Sequence, residues 1–119
     1  MSDAGQNGTW SVEDAASLYN VDRWGAGYFG VNTRGRVEVR PLGEAGAEVE
    51  VLAVVEEARK RGLRYPMLLR FQDIVRHRVA AINGEFRASM ERHAYGGRYR
   101  GVFPVKVNQL REVVEEIVD

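Results

Sequence analysis

The chain has no cysteine among its 119 residues, only three prolines, and no excess of charge of either sign. Without cysteine it can form neither disulfide bonds nor thiolate metal sites. Seventeen basic and 17 acidic residues give a formal net charge of +0, so no overall attraction to nucleic acid or anionic lipid is expected. The sequence therefore predicts no nucleic-acid partner and no membrane partner.

The sequence also predicts no membrane-spanning run, no signal peptide and no zinc site. No run approaches the roughly 18 apolar residues of a membrane-spanning helix. The start, MSDAGQNGTW, has neither the charged region nor the apolar core of a signal peptide. His77 and His93 do not have the spacing of an HExxH motif. These features favour a soluble, cytoplasmic protein of one modest domain, with no metal ligands identified.

The first half of the chain predicts an α+β arrangement. Residues 1–9 are small and polar and are expected to be frayed. Residues 10–66 carry helix-capping signals, charged–apolar alternation and helical spacing. These patterns predict a helix capped by Ser11 and ending near Asn20, a hairpin over Tyr28–Arg40 with its turn at 33–35, and a helix over Ala47–Arg61 ended by Gly62.

The second half, residues 67–119, alternates strand-like and helical patterns. The pattern predicts a strand over 67–71, a long helix over 74–94 capped by Asp73 and ended by Gly96-Gly97, a strand over 99–107, and a helix from about Gln109. Strands that alternate with helices are typical of the α/β class, in a parallel sheet or a β/α barrel. Two strands complete neither, so the sequence predicts the opening units of a β/α barrel that is incomplete in this chain.

The stretch GAGYFG, Gly25 to Gly30, fits the GxGxxG pattern of dinucleotide-binding sites. That motif needs a preceding strand and a following helix, whose free amide groups face the pyrophosphate. Here a hairpin follows. We interpret the stretch instead as a turn into a strand packed by Trp24, Tyr28 and Phe29.

Lys106 is one of only two lysines in a chain with 15 arginines, and it lies in the apolar run VFPVKVNQ. The predicted strand ends there, where α/β sheets and barrels place reactive groups. One interpretation is a lysine that faces solvent. The other is a partly desolvated amine of lowered pKa, available as a nucleophile toward a carbonyl, which arginine cannot provide. The pattern alone leaves both open.

Three blocks of the sequence resemble the amino-terminal part of biosynthetic arginine decarboxylases, pyridoxal-phosphate enzymes with an alanine-racemase-like barrel. The blocks are WSVEDAASLYNVDRWGAGYFGVN (10–32), LLRFQDIVRHRV (68–79) and YRGVFPVKVNQ (99–109). Gln72 departs from an expected proline and Phe103 from a common tyrosine. By motif match, the resemblance implies that Lys106 is both the catalytic and the cofactor-binding residue, carrying pyridoxal 5'-phosphate as an internal Schiff base.

The resemblance also implies a reaction and its partners. The reaction is decarboxylation of L-arginine to agmatine and carbon dioxide, a step of polyamine and spermidine biosynthesis. Magnesium is implied as a second cofactor, without identified ligands. Assembly as a homo-oligomer, or association with the rest of the enzyme, is implied as well. The phosphate-, ring- and substrate-binding residues of the family would lie downstream, so the isolated chain is expected to have little activity.

The other candidate residues receive structural interpretations. His77 and His93 fall on the long helix and are expected on its surface or partly buried. Arg70 ends the first predicted strand and could approach the site, while Asn108 and Gln109 are expected to start the last helix. An alternative function is a non-enzymatic scaffold or regulatory module that binds a full-length decarboxylase-like partner. Open strand edges and the apolar face of the last helix would then be covered by that partner.

Overall fold

The computed structural model describes residues 9–118, apart from the side chain of Ala45. Within this range the chain divides into two units, one formed by residues 9–40 and 48–64, the other by residues 41–47 and 65–118. Residues 1–8 of the predicted frayed terminus lie outside the described part.

The first unit combines three helices with a small antiparallel sheet. Its helices and strands, in chain order, are α1 (Val12–Leu18), α2 (Val21–Gly25), β1 (Phe29–Val31), β2 (Val37–Val39), β3 (Val49–Glu50) and α3 (Val51–Lys60). The sheet order is β1-β2-β3, with Phe29 opposite Val39 and Glu38 opposite Glu50. This mixture of helices and antiparallel strands agrees with the α+β prediction for the first half.

The predicted hairpin is confirmed, and its turn is held by Asn32. The Oδ1 atom of Asn32 accepts hydrogen bonds from the backbone amides of Arg34 (3.0 Å) and Arg36 (3.1 Å). Gly35 has φ +70°, a conformation that favours glycine. The Nδ2 atom of Asn32 donates to Glu50 Oε1 at 2.7 Å, which ties the turn to β3.

The third strand was not predicted, and it shortens the helix that follows it. Val49 and Glu50 pair with β2, so α3 begins at Val51 and not at the predicted Ala47. Glu50 also forms ion pairs with Arg34 and Arg36. These long-range partners outweigh a weak local helix preference.

α1 begins with a capping box, as its Ser11 signal indicated. The Oγ atom of Ser11 accepts from the Asp14 amide at 3.0 Å, and Asp14 Oδ2 accepts from the Ser11 amide at 2.9 Å. Both bonds satisfy amides that the first helical turn would otherwise leave free. The hydrogen bond from the Ser11 backbone lowers the pKa of Asp14, and the bond with the Ser11 side chain lowers it further.

This capping box predicts a pH-dependent stability. A lowered pKa in the folded chain means that the ionised Asp14 stabilises fully above its usual value of 3.8, and that this effect is lost as the pH falls through the lowered pKa. Asp14→Asn should therefore lower the urea midpoint at neutral pH, and by less at a second, acidic pH below 3.8. Urea titrations followed by circular dichroism test this, and an equal deficit at both pH values would contradict it.

The core of the first unit is small, and GAGYFG forms part of its edge. Val21, Tyr28 and Val39 are its buried apolar side chains. The rings of Trp24 and Phe29 lie 5.5 Å apart, in a tilted arrangement. A helix precedes this stretch and a strand follows it, the reverse of the dinucleotide-binding order. The interpretation as a turn leading into a strand is confirmed.

One charged residue, Glu38, is also buried in the first unit. Its carboxylate pairs with the guanidinium of Arg40, which also reaches Glu48 at 3.1 Å. The hydrogen bond to Glu38 raises the pKa of Arg40 further above its already high usual value. A buried carboxylate needs such a partner, since an unpaired buried charge is strongly destabilising.

The second unit is built on α4 (Gln72–Arg92) and α5 (Arg111–Val118). Short 3-10 helices cover Gly43–Ala45 and Val105–Val107. Phe71 occupies the N-cap of α4 without a side-chain capping bond, so the prediction of Asp73 as the cap is wrong. Asp73 lies instead in the first turn, where its charge suits the positive helix end. Within residues 9–118, no helix is both long and apolar enough to cross a bilayer.

The strands predicted over 67–71 and 99–107 are not observed. Neither segment belongs to a sheet; the first has no regular structure, and the second includes the 3-10 helix Val105–Val107. A strand requires a hydrogen-bonded neighbour, and the described residues of the second unit contain no strand to pair with. The described residues thus show helices and a small antiparallel sheet, and the barrel stays a prediction.

α3 and α4 end in the same hydrogen-bonding motif. Its left-handed position is occupied by glycine after α3 and by alanine after α4. At the end of α3, Leu63 N bonds to Ala58 O (3.1 Å) and Gly62, with φ +91°, bonds to Arg59 O (2.9 Å). These bonds form a Schellman motif, which confirms Gly62 as the helix stop. Ala94 occupies the matching position after α4, with φ +50°, so α4 ends before the predicted Gly96-Gly97.

These two ends predict opposite responses to exchange of glycine and alanine. Gly62→Ala places a β-carbon in a left-handed conformation and should lower the free energy of unfolding by about 1 kcal/mol. Ala94→Gly removes that penalty and should raise the free energy of unfolding by about 0.5 kcal/mol. Urea unfolding of both variants beside the parent measures the two changes. Changes of the same sign would contradict the assignment of these ends.

Candidate functional site

The segment that leads to Lys106 packs against α4 through alternate side chains. The ring of Tyr99 stacks on Phe86 of α4, with centroids 4.5 Å apart and planes inclined by 10°. Phe103 lines a cavity together with Val79 and Ile82 of α4. Tyr99 and Phe103 therefore hold the segment on the helix.

The opposite side of this segment faces solvent. Arg100 and Pro104 are exposed, and Val102 is 89% exposed. Tyr99 and Phe103 are half-buried, but Val102 also lines the cavity beside Phe103, so the predicted separation of the two sides is observed only in part.

Lys106 lies in the 3-10 helix Val105–Val107 and is exposed. The prediction that it ends a strand is wrong, because the backbone turns at this point: the Val107 amide bonds to Pro104 O at 3.0 Å. Among the described residues, Lys106 makes no ion pair. It is also not among the residues lining the cavity beside Phe103. Its amine is accessible, and that cavity does not shield it.

The residues after Lys106 lead directly into α5. Asn108 Oδ1 accepts a hydrogen bond from the Leu110 amide at 3.4 Å, and Gln109 Nε2 donates to Lys106 O at 3.5 Å. α5 begins at Arg111. Asn108 and Gln109 thus act at the entry of this helix, as expected from the sequence.

Pyridoxal phosphate and magnesium place different demands on these residues. An accessible primary amine such as that of Lys106 fits covalent attachment of an aldehyde. Lys106 does not line the cavity beside Phe103, so that cavity does not bring its amine together with groups that would hold a phosphate and a ring. Within residues 9–118, no three His, Asp or Glu side chains form a group suited to a metal ion. The described residues therefore fit the covalent attachment alone.

The histidines and Arg70 take the positions expected of structural residues. His77 is half-buried on α4. It lies next to Gly43: a β-carbon added to that glycine would be 3.6 Å from the Cε1 atom of His77. His93 is exposed at the C-cap of α4. Arg70 is exposed in the irregular segment before α4. The structure brings none of these three into the Lys106 segment.

α5 is fixed to α4 by a contact that sequence reasoning missed. Val113 of α5 is 8% exposed, and Arg76 Nη2 lies 2.7 Å from Glu116 Oε2, a side chain that is 20% exposed. No local motif links these positions, because they lie on different helices. The segment carrying Lys106 is thereby held at both ends, by Tyr99 and Phe103 before it and by α5 after it.

The Arg76–Glu116 pair predicts an asymmetric response to mutation. Arg76→Met leaves a mostly buried carboxylate without its cation and should lower the free energy of unfolding by about 1–2 kcal/mol. Adding Glu116→Leu should restore much of this loss. Arg111→Met, which breaks the exposed pair with Glu115, is the matched control and should cost less than about 0.5 kcal/mol. Equal losses from the two arginine variants in urea unfolding would contradict a partly buried pair.

Comparison with known proteins places this sequence beside arginine decarboxylases. The chain is 47% identical over 109 residues to a biosynthetic arginine decarboxylase of Parasynechococcus marenigrum. It is 45% identical to one of Pseudomonas putida, and 49% identical to Arginine decarboxylase 1 of Oryza sativa subsp. japonica. Each comparison covers 92% of this chain and 17% of the relative. No family model matches the chain.

The resemblance drawn from the three sequence blocks is therefore confirmed. Similarity of 39–49% identity extends over nearly the whole chain in relatives from bacteria and a plant. The chain spans about a sixth of the length of the curated relatives that it matches. By sequence, the chain is similar over most of its length to a stretch that makes up 17% of biosynthetic arginine decarboxylases.

Proposed function

We propose that this chain supplies the lysine-bearing, amino-terminal segment of an arginine decarboxylase. The observation that carries this proposal is the identity of 39–49%, over about 92% of the chain, with relatives named arginine decarboxylases. The reaction is decarboxylation of L-arginine to agmatine and carbon dioxide, with pyridoxal 5'-phosphate and magnesium as cofactors. The active assembly contains the rest of the enzyme and is oligomeric.

In this proposal Lys106 is the point of cofactor attachment. When bound, pyridoxal phosphate supplies an electron sink for the carbon that loses carbon dioxide. A primary amine is the required group, and arginine cannot replace it because it does not lose its proton at neutral pH. The Tyr99–Phe86 stack and the start of α5 fix the backbone on either side of Lys106. The chain's own contribution is thus to present one amine from a positioned segment.

The proposal assigns little activity to these residues alone. Lys106 is exposed, and water competes with any group that would orient a substrate there. A cofactor attached without supporting contacts is loosely held. The shielding and the remaining catalytic groups belong to the rest of the enzyme.

We also propose that residues 67–119 form the start of a β/α barrel in the intact enzyme. The order from 67 onward is an irregular segment, α4, a segment that ends in the 3-10 helix Val105–Val107, and α5. Alternate side chains of 99–104 pack on α4, as they would from a barrel strand onto its helix.

Reductive labelling tests the role of Lys106, because the chain has only one other lysine. After incubation with pyridoxal phosphate and borohydride, peptide mass spectrometry should place most of the label on Lys106. Lys60 should carry several-fold less, since the Glu57 carboxylate lies 3.8 Å from its amine and repels the phosphate group. The label on the peptide that contains position 106 should be lost in Lys106→Arg and kept in Lys60→Arg. Labelling of Lys106→Arg equal to that of the parent would remove the assignment.

A second candidate function is the non-enzymatic scaffold or regulatory module. The exposure of Val102, at 89%, and of Val107, at 72%, favours a role in which a partner protein contacts this segment. The enzymatic function needs the primary amine of Lys106, and the scaffold function does not. Lys106→Arg would abolish the enzymatic role and leave the scaffold role intact.

A further inference from the structure

Gly101 separates the two aromatic side chains that hold the Lys106 segment on α4. Tyr99, Gly101 and Phe103 all line the cavity beside α4, but Gly101 contributes no side chain to it. Glycine is favoured where φ is positive, and Gly101 is not among the glycines that have a positive φ in the described part of the chain. Its backbone therefore permits a side chain, and the surrounding space decides whether one fits.

That space is bounded by α4 and by the stacked ring. A β-carbon added to Gly101 would lie 3.3 Å from Oδ1 of Asn83 and 3.4 Å from the hydroxyl oxygen of Tyr99. Both distances are below the roughly 3.5–4.0 Å at which non-bonded heavy atoms attract most strongly. The Tyr99 ring is held against Phe86, which follows Asn83 on α4. A larger group at position 101 must therefore move the Asn83 side chain, disturb the stack or shift the segment.

A shift of the segment at position 101 would reach Lys106. The 3-10 helix Val105–Val107 follows closely and contains Lys106, and its turn is closed by a hydrogen bond of 3.0 Å from the Val107 amide to Pro104 O. Lifting the backbone before Pro104 strains this turn and moves the residue within it. Misplacement of a reacting group by about 1 Å can cost on the order of 100-fold in rate, so such a movement matters to an amine that must meet a carbonyl.

We propose that Asn83 and Gly101 are positioning residues for Lys106. The carboxamide of Asn83 fits against the bare backbone at Gly101, and this close contact sets how near the segment lies to α4. Tyr99 and Phe103 supply the packing, while the contact between Asn83 and Gly101 limits the distance. The importance of that distance for the reaction rests on the proposed function of Lys106, whereas the contact itself does not.

A double-mutant cycle in the full chain tests this contact. Gly101→Val adds a branched side chain at the tight point and should speed amide hydrogen exchange at Val107 by about tenfold or more, because it lifts the segment and strains the 3-10 turn. It should also weaken the nuclear Overhauser effects between the rings of Tyr99 and Phe86. In the Asn83→Ala background the same change should raise the exchange rate by less than about threefold, because the opposing carboxamide is gone.

Two further variants keep the cycle interpretable. Arg100→Val places the same side chain at the exposed neighbouring position and is the matched control, so exchange at Val107 and the ring contacts should stay as in the parent. Gly101→Ala adds only the β-carbon and should give the same changes at a smaller size. It replaces Gly101→Val in the cycle if circular dichroism shows that the valine variant does not fold.

The proposal is overturned if the substitution at Gly101 leaves exchange at Val107 unchanged, if it raises exchange equally in both backgrounds, or if Arg100→Val has an equal effect. Reductive labelling of Lys106 decides the proposed function separately, since the contact of Asn83 with Gly101 does not involve the amine. Coupling between positions 83 and 101 without labelling of Lys106 would reject the role of Lys106 and leave the contact standing. Labelling without coupling would reject the positioning roles alone.

Discussion

The stack of Tyr99 on Phe86 is the contact on which the placement of Lys106 depends. It fixes one end of a segment that has no ladder of its own, so side-chain packing on α4 replaces backbone pairing there. Aromatic stacking adds a specific orientation to the burial of apolar area. Phe103 repeats the anchoring closer to Lys106, and α5 begins a few residues later. These contacts fix the backbone on both sides of Lys106, while its side chain stays exposed.

A positioned but exposed amine differs from a finished active site in a physically definite way. Position lowers the entropic cost of the encounter, whereas shielding changes the electrostatics of the reacting groups. The described residues supply the first of these, and they leave Lys106 exposed. The proposed role as part of an enzyme starts from this difference.

Local signals in the sequence predicted local structure well. Ser11 caps α1 as expected, the hairpin turn falls where predicted, and Gly62 ends α3. Each of these depends on groups within a few residues of one another. Features that require distant partners were missed: β3 exists because β2 lies beside it, and Arg76 meets Glu116 only because two helices pack. The strands predicted after residue 66 have no such partners among the residues that the structure describes. The assignment of Lys106 came from resemblance to a family, since exposure and spacing do not distinguish it from an ordinary surface lysine.

The side-chain amide of Asn32 joins the hairpin turn to β3, beside the ion pairs of Glu50 with Arg34 and Arg36. Asn32 accepts two backbone hydrogen bonds through its oxygen and donates to Glu50 through its nitrogen. Hydrolysis of that amide to a carboxylate, a common form of chemical ageing, would replace the donor with a second acceptor beside Glu50. Attraction across the sheet would become repulsion between two anions, and chemical damage at one nitrogen would loosen the attachment of β3.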